Sequence, residues 1–319
     1  MIRIFANAAY DFLAVRRWAY VITGVFVLPG LMMLGIRGLN ESIEFTGGTL
    51  IQVHARDTTM RTATIRSALQ TVGLNPEIQT FGAPNEFVIR ARIEGATDTG
   101  TSTQETRALV EQGLDATFGP EAYEIVRTEA VGPKVGSELR QKALLAILLS
   151  FGATLIYLWF RFEWRFGVAA IVATAHDILA TVALIGWLDL EVSLVIVAAA
   201  LTIVGYSLND TIVVFDRVRE NLRKFKRENI YQILNRSVNE TLPRTLLTGL
   251  STITATIALL VFGGGVIRGF ALVMTFGIVV GTFSSIYIAS PVLLAIEQRW
   301  PGEDVKGAKT IVARGAPAT

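Results

Sequence analysis

The chain has no cysteine. That excludes disulfides, thiolate chemistry and any cysteine-based metal site. Its two histidines, His54 and His176, lie far apart, which argues against a histidine metal centre. Charge is scarce: 18% of the 319 residues are charged, against roughly 25% in soluble domains. An excess of one sign is lacking too. Twenty-nine Lys and Arg face 27 acids, a net charge of +2, so there is no electrostatic case for a nucleic-acid partner. A phosphate loop is also missing, because Gly263-Gly264-Gly265 is followed by neither Lys nor Ser/Thr where such a loop needs them. That triplet reads as a turn. No nucleotide motor, soluble enzyme or cofactor-binding protein is expected from such a chain.

What the sequence has instead is apolar length. Hydrophobic residues make up 51%, and they fall in six blocks, at 18–36, 142–160, 166–187, 192–215, 245–262 and 267–296. Each approaches or exceeds the ~20 residues that cross a bilayer. The last is long for one span and predicts either tilt or part of a re-entrant loop. Residues 1–17 carry Arg3, Arg16 and Arg17, and no small-residue cleavage site follows the first block. A retained first helix with a cytoplasmic N-terminal segment is the expectation.

The short connections orient the rest. Two arginines in "RFEWR" (161–165) and the basic stretch "DRVRENLRKFKREN" (216–229) predict cytoplasmic loops. The connection at 188–191, with Asp189 and Glu191 and no base, and the nearly uncharged 263–268 predict external ones. The basic segment at about 216–244 places Val218, Leu222 and Phe225 at helical steps and is expected along the cytoplasmic interface. Residues 297–319 form a cytoplasmic tail, and six spans give both termini the same side.

Residues 37–141 form the one large insert, placed outside by its flanks. "EFTGGTLIQVHA" (44–55) reads as a strand and 59–73 as a helix, with Ile65, Leu69 and Val72 on one face. Two short strands flank "APNE" (83–86). A second helix spans 101–119, where Ser102 and Glu105 have capping-box spacing, and a last strand covers 121–132. The order is βαββαβ, a ferredoxin-like α+β domain between the first and second of six transmembrane helices. Gly47-Gly48 is a candidate bulge near the membrane surface, and His54 a structural histidine. The domain holds no phosphate loop or catalytic cluster, so a docking or moving role and a passive spacer are both open.

Ionisable residues inside spans are costly and suggest function. His176 and Asp177 lie near the middle of the third span. Asn209 and Asp210 lie in the cytoplasmic part of the fourth, and Arg244 stands at the cytoplasmic start of the fifth, at a similar depth. A carboxyl in low dielectric favours its neutral form, and a guanidinium beside it favours the charged one. Alternating contact and separation of Asp210 and Arg244 would couple protonation to conformation; a fixed salt bridge between the helices is the alternative. His176 is a candidate relay or a hydrogen-bonding group within the bundle. Asn209 either tunes Asp210 or holds a neighbouring helix. Thr202, Gly205 and Ser207 precede that pair, and Thr241, Thr245, Thr248, Thr252 and Thr256 recur at helical steps. They allow close packing, satisfy polar groups or wet a narrow path.

Several strings together, "EFTGGTL", "VGPKVGSEL" (131–139), "AHD" (175–177), "GYSLNDTIVVFDRVREN" (205–221) and "NRSVNETLPRTLLT" (235–248), resemble the SecF family of protein-export membrane subunits, within the resistance–nodulation–division superfamily. The resemblance covers about residues 5 to 300. It implies half of a pseudo-symmetric twelve-helix unit completed by a SecD subunit, in the bacterial inner membrane. It further implies work with the SecYEG channel, YajC and a translocating preprotein, driven by protons or, in some relatives, sodium. Asp210 matches the family's aspartate in the fourth helix and Arg244 its arginine at the start of the fifth. A third partner, an aspartate of SecD, is not in this chain. The other readings left standing are half of a small-molecule or lipid exporter of the same superfamily and a non-transporting membrane scaffold.

Overall fold

A computed structural model describes residues 9–56, 59–81, 83–91 and 99–302. The chain enters through α1 (Arg16–Arg37) and a helical turn, α2 (Ile43–Thr46). The small domain follows as β1 (Gly48–Ala55), α3 (Thr62–Thr71), β2 (Glu77–Thr80), β3 (Glu86–Ala91), α4 (Thr99–Phe118) and β4 (Tyr123–Val131). The bundle is completed by α5 (Pro133–Arg161), α6 (Trp164–Leu188), α7 (Leu194–Lys224), α8 (Ile230–Phe262), α9 (Gly264–Ser284), a π-helical turn (Ser285–Ala289) and α10 (Ser290–Arg299). Six stretches are long and apolar enough to cross a bilayer, the last formed by α9, the π turn and α10 together. The protein is a multi-pass membrane protein. Helix α6 and the last span are the most enclosed, whereas α1, α5 and α8 turn most of their apolar surface outward. Exposed Leu148, Trp159, Leu250 and Phe262 belong to that outward surface, which suits lipid or another apolar partner.

The sheet runs β2-β3-β1-β4, antiparallel throughout, so the expected βαββαβ order holds. Alternation along β1 sends Ile51 and Val53 to one face, where Ile78, Phe87 and Ile89 join them against Ile65 and Leu69 of α3 and Val110 and Leu114 of α4. The opposite face, with Leu50, Gln52, Gln79 and Val88, looks toward the bundle over a cleft of about 440 Å³. Ser193, Ile196, Gly269 and Phe270 lie on its far side.

Three expectations change. The strand does not begin at 44, because 43–46 form a helical turn and Gly47 and Gly48 take φ of +71° and +130°. A side chain at Gly47 would put Cβ 2.9 Å from Pro133 Cα, and one at Gly136 would sit 3.0 Å from the Phe45 carbonyl oxygen. The two glycine-bearing strings therefore pack on each other, which is why both are short of side chains there. The bulge lies elsewhere, between Gln52 and Val53 opposite β4. Second, Ser102 falls inside α4, not ahead of it, and its side chain lies outside the described residues. Third, the basic stretch is not a separate surface helix with an unpartnered apolar face. It forms the ends of α7 and α8 and the turn between them. Val218, Leu222, Ile233 and Leu234 are buried in a shared core, and Arg217 donates to Glu240 at 2.6 Å. The amphipathic face that predicted a surface helix is satisfied by the neighbouring helix instead. At 31 residues α7 is about 46 Å long, so several turns clear a ~30 Å hydrocarbon core. The long last span is resolved by the π turn just before Pro291. Proline lacks the N–H that a continuous helix needs, and the Ser290 hydroxyl donates to the Ser285 carbonyl at 3.1 Å within that irregular turn.

The α6–α7 connection ties the small domain to the bundle by backbone and side-chain bonds. Val192 N donates to the Asn40 carbonyl at 2.7 Å, and Ser42 N donates to the Val192 carbonyl at 2.9 Å. Arg90, on β3 and 7% exposed, pairs with Glu191 and donates to Asn40 Oδ1 at 3.2 Å. Burial pushes the Glu191 carboxyl above its ordinary range, against the pull of Arg90. One residue group beyond, Glu44 accepts from Leu194 N at 2.6 Å, so a carboxylate of the small domain caps the first turn of α7.

At the opposite end of the bundle, residues 9–15 dock on α8. Asn239 accepts from Tyr10 N at 2.9 Å, Asn235 accepts from Leu13 N at 3.2 Å, and Asp11 accepts from Tyr231 (2.6 Å) and Asn235 (2.7 Å). The Tyr231 bond above all, aided by Asn235, holds the Asp11 carboxyl below its ordinary value despite some desolvation. A depressed carboxylate stabilises the docked state above its unfolded pKa and loses that contribution as pH falls through the folded one. Protection of the Tyr10 and Leu13 amides, measured by hydrogen exchange and corrected for intrinsic rates, is therefore expected to fall on acidification, and Asp11→Asn to lower it at neutral pH. Arg90→Ala is expected to lower stability by roughly 2 kcal/mol, less than for a fully buried pair because Glu191 retains some water contact; thermal unfolding in detergent reads it.

Candidate functional site

Two carboxyl groups lie inside the bundle, and their surroundings differ. Asp177, at the middle of α6, is 0% exposed. It accepts from the hydroxyls of Ser207 on α7 and of Ser284 on α9, the latter at 2.8 Å. His176 Nδ1 stands 2.9 Å from its other oxygen, and His176 Nε2 is 3.1 Å from the Thr23 hydroxyl of α1. One aspartate thus collects polar groups from three helices, and a fourth, α1, reaches it through His176.

Asp210, three residues beyond Ser207 on α7, is also buried, but its Oδ2 has no hydrogen-bond partner. Arg244 is exposed on α8 and makes no ion pair with it among the described residues, though it is close enough for its charge to act there. The fixed salt bridge held open by the sequence is thus not the arrangement found. The two helices run antiparallel. Arg217 meets Glu240 near one end, and at the other a Cβ built on Gly249 would lie 3.9 Å from the Tyr206 hydroxyl. Stepping between those fixed points brings Asp210 level with Thr245 and Arg244. The Tyr206, Thr211, Thr245 and Thr282 hydroxyls are buried and unpaired, as is Asp210 Oδ2. The α7–α8–α9 seam therefore carries a run of polar atoms unmatched among the described residues, a costly concentration.

Of the threonine series on α8, Thr241, Thr248, Thr252 and Thr256 donate to carbonyls of their own helix, at 2.9–3.2 Å, and Thr256 also accepts from Thr275 of α9. Thr245 alone among the five has an unpaired hydroxyl. Asn209 points outward in line with exposed Thr202 and Gly205, and makes no hydrogen bond to Asp210 among the described residues. Thr248 is exposed beside Arg244, one turn away.

The seam is close because α9 offers glycine where α7 needs room. A Cβ on Gly281 would meet Ser207 Cβ at 2.9 Å, and one on Gly277 would overlap Ile203. The sequence reading did not single out Gly277, Gly281, Ser284, Thr282 or Thr23. The four-residue spacing of the two glycines was a usable signal; nothing in the string marks Thr23.

Comparison with known proteins agrees with this architecture. The family model described as "Protein export membrane protein SecD/SecF, C-terminal" matches residues 111–299, and that for the "SecD/SecF GG Motif" matches 33–59. A protein translocase subunit SecF from Gemmatimonas aurantiaca is 51% identical, covering 100% of this chain and 96% of that one. The chain belongs to the SecF family. The SecF of Escherichia coli O157:H7 is 36% identical over 90% of this chain and 88% of its own. A crystal structure of SecDF from Thermus, described as a translocon-associated membrane protein, is 37% identical and superposes with a TM-score of 0.81. It covers 92% of this chain, which spans only 39% of that longer one. Gly47, which packs on Pro133, and Gly48 lie within the stretch matched by the GG-motif model, and both carboxyl groups lie within the larger match.

Gly281→Ala is expected to force the α7–α9 seam apart and to cost about 1–3 kcal/mol, seen as a lower melting temperature in detergent, while Gly24→Ala, which meets nothing within 4 Å, leaves it near wild type.

Proposed function

We propose that this SecF-family subunit acts in the Sec protein translocase by coupling the proton motive force to late stages of preprotein export across the bacterial inner membrane, together with a SecD partner. The observation that carries the proposal is Asp210: a buried carboxyl with an unpaired oxygen, level with an arginine it does not bond. A group kept for stability would be paired; a group that takes up and releases a proton needs an unmatched state. The unpaired hydroxyls of Tyr206, Thr245 and Thr282 give a proton or water somewhere to go on either side of it. Sodium ions would use the same oxygen atoms.

The partner is supported by the exposed strip of Thr202, Gly205 and Asn209 on α7 and Arg244, Thr248 and Ser251 on α8. An arginine and an asparagine facing lipid in a span would cost several kcal/mol. A second polypeptide seated there removes that cost and supplies the third polar group of the site. The SecYEG channel, YajC and the preprotein are the further partners of this reading. The small domain lies on the outer side of the membrane and both termini lie in the cytoplasm.

Asp210→Asn is expected to leave the complex assembled and to abolish the gradient-dependent part of export in energised membrane vesicles; normal gradient-dependent export by that variant would overturn the reading. Exchanging Asp210 and Arg244 is expected to inactivate as well, since the two side chains lie in different surroundings and full activity would indicate a simple bridge. Mild-detergent purification is expected to bring down a SecD-like chain, and Arg244→Leu to reduce its recovery.

A further inference from the structure

We infer that Asp177 is a positioning residue for Asp210, acting through Ser207. The inference rests on the proton-coupling reading of Asp210. Asp177 bonds to three side chains inside the bundle, and its partners are not spread at random. It holds Ser207 of α7 and Ser284 of α9 at the level where Gly281 lets those helices touch. Ser207 is three residues from Asp210, one helical turn on the same helix. Fixing Ser207 fixes the height and rotation of α7 there, and with them the direction of the Asp210 carboxyl.

Among the described residues, the other side of α7 offers no comparable hydrogen bond at this level. Thr202, Gly205 and Asn209 face outward, and Tyr206 and Thr211 have unpaired hydroxyls. The helix is pinned on one face and loose on the other, with Asp210 between. Hydrogen bonds are directional, so a carboxyl bonded to hydroxyls of two neighbouring helices holds a rotation better than van der Waals contact alone. His176 keeps Asp177 from turning toward α1: its ring takes the second carboxyl oxygen and is itself placed by Thr23. The charged or titratable group contacting Asp177 is His176 on its own helix; α7 presents Ser207 and α9 presents Ser284, both neutral.

A residue that only held the bundle together would change the amount of folded complex and nothing else. A positioning residue changes what Asp210 does in complexes that have folded. The test uses the full complex in membrane vesicles, with export measured with and without an imposed proton gradient and expressed per assembled complex. Ser207→Ala, which removes one hydroxyl, and Asp177→Asn, which keeps the shape, are each expected to lower the gradient-dependent increment about ten-fold. Both are also expected to change the rate at which a hydrophobic carbodiimide modifies Asp210, read by mass spectrometry of its peptide. Ser284→Ala, which leaves the bond to α7 in place, is expected to have a smaller effect on both. Wild-type increment and wild-type Asp210 modification in Ser207→Ala and Asp177→Asn would overturn the inference. So would a loss of assembled complex with normal activity in what remains. If Asp210→Asn itself exports normally under a gradient, it is the proton-coupling reading that falls; if Asp210→Asn fails while the Ser207 and Asp177 variants behave as wild type, only the positioning role does.

Discussion

A carboxyl group inside a bilayer cannot borrow hydrogen bonds from water, so the protein must supply them or leave the group unmatched. The helical bundle is arranged around both choices. Asp177 is given three donors, and giving them requires α1, α6, α7 and α9 to converge on one point. That convergence in turn requires residues without bulk at the crossings. Gly30 would clash with Ala183 if it carried a side chain, and Gly281 with Ser207. Asp210 is denied the same provision one turn away. The first carboxyl makes the fold specific, and the second is kept available by the rigidity the first creates.

The small domain obeys a related rule. Its charged contacts to the bundle include one placed where a backbone group needs it. Glu44 meets the first turn of α7, where amide groups have no partner within the helix. Arg90 meets Glu191 in the connection just before it. The Gly47-Gly48 turn lets the domain's first strand leave the membrane surface while Pro133 and Gly136 bring the chain back beside it. Entry and exit of the domain are thereby pinned together.

Much of this was legible in the string. Apolar length predicts the spans, and alternation predicts β1, because both follow from the solvent each face meets. The buried aspartates stood out against their neighbours, since a charge in an apolar run has no local excuse. What could not be read was pairing between distant segments. Asp210 and Arg244 are at equal depth, yet equal depth does not make a bond. Val218 and Leu222 show an amphipathic face, but the pattern is the same whether that face meets lipid headgroups or another helix. Gly47 fits a bulge and a turn equally well until Pro133 is placed against it. Ser284 is one serine among several, and becomes meaningful only when Asp177 is seen to face it.

The cap on α7 has a consequence of leverage. The helix is continuous from Leu194 to Lys224, so it behaves as a rod gripped at one tip by the external domain. Asp210 lies sixteen residues from that tip, about 24 Å down the rod. A tilt of about 5° at the grip would sweep the carboxyl sideways by roughly 2 Å if nothing braced it. The brace at Ser207 makes a nearby pivot, which shortens the swinging arm to about one turn. The rod therefore passes only a small part of an external disturbance on to the aspartate.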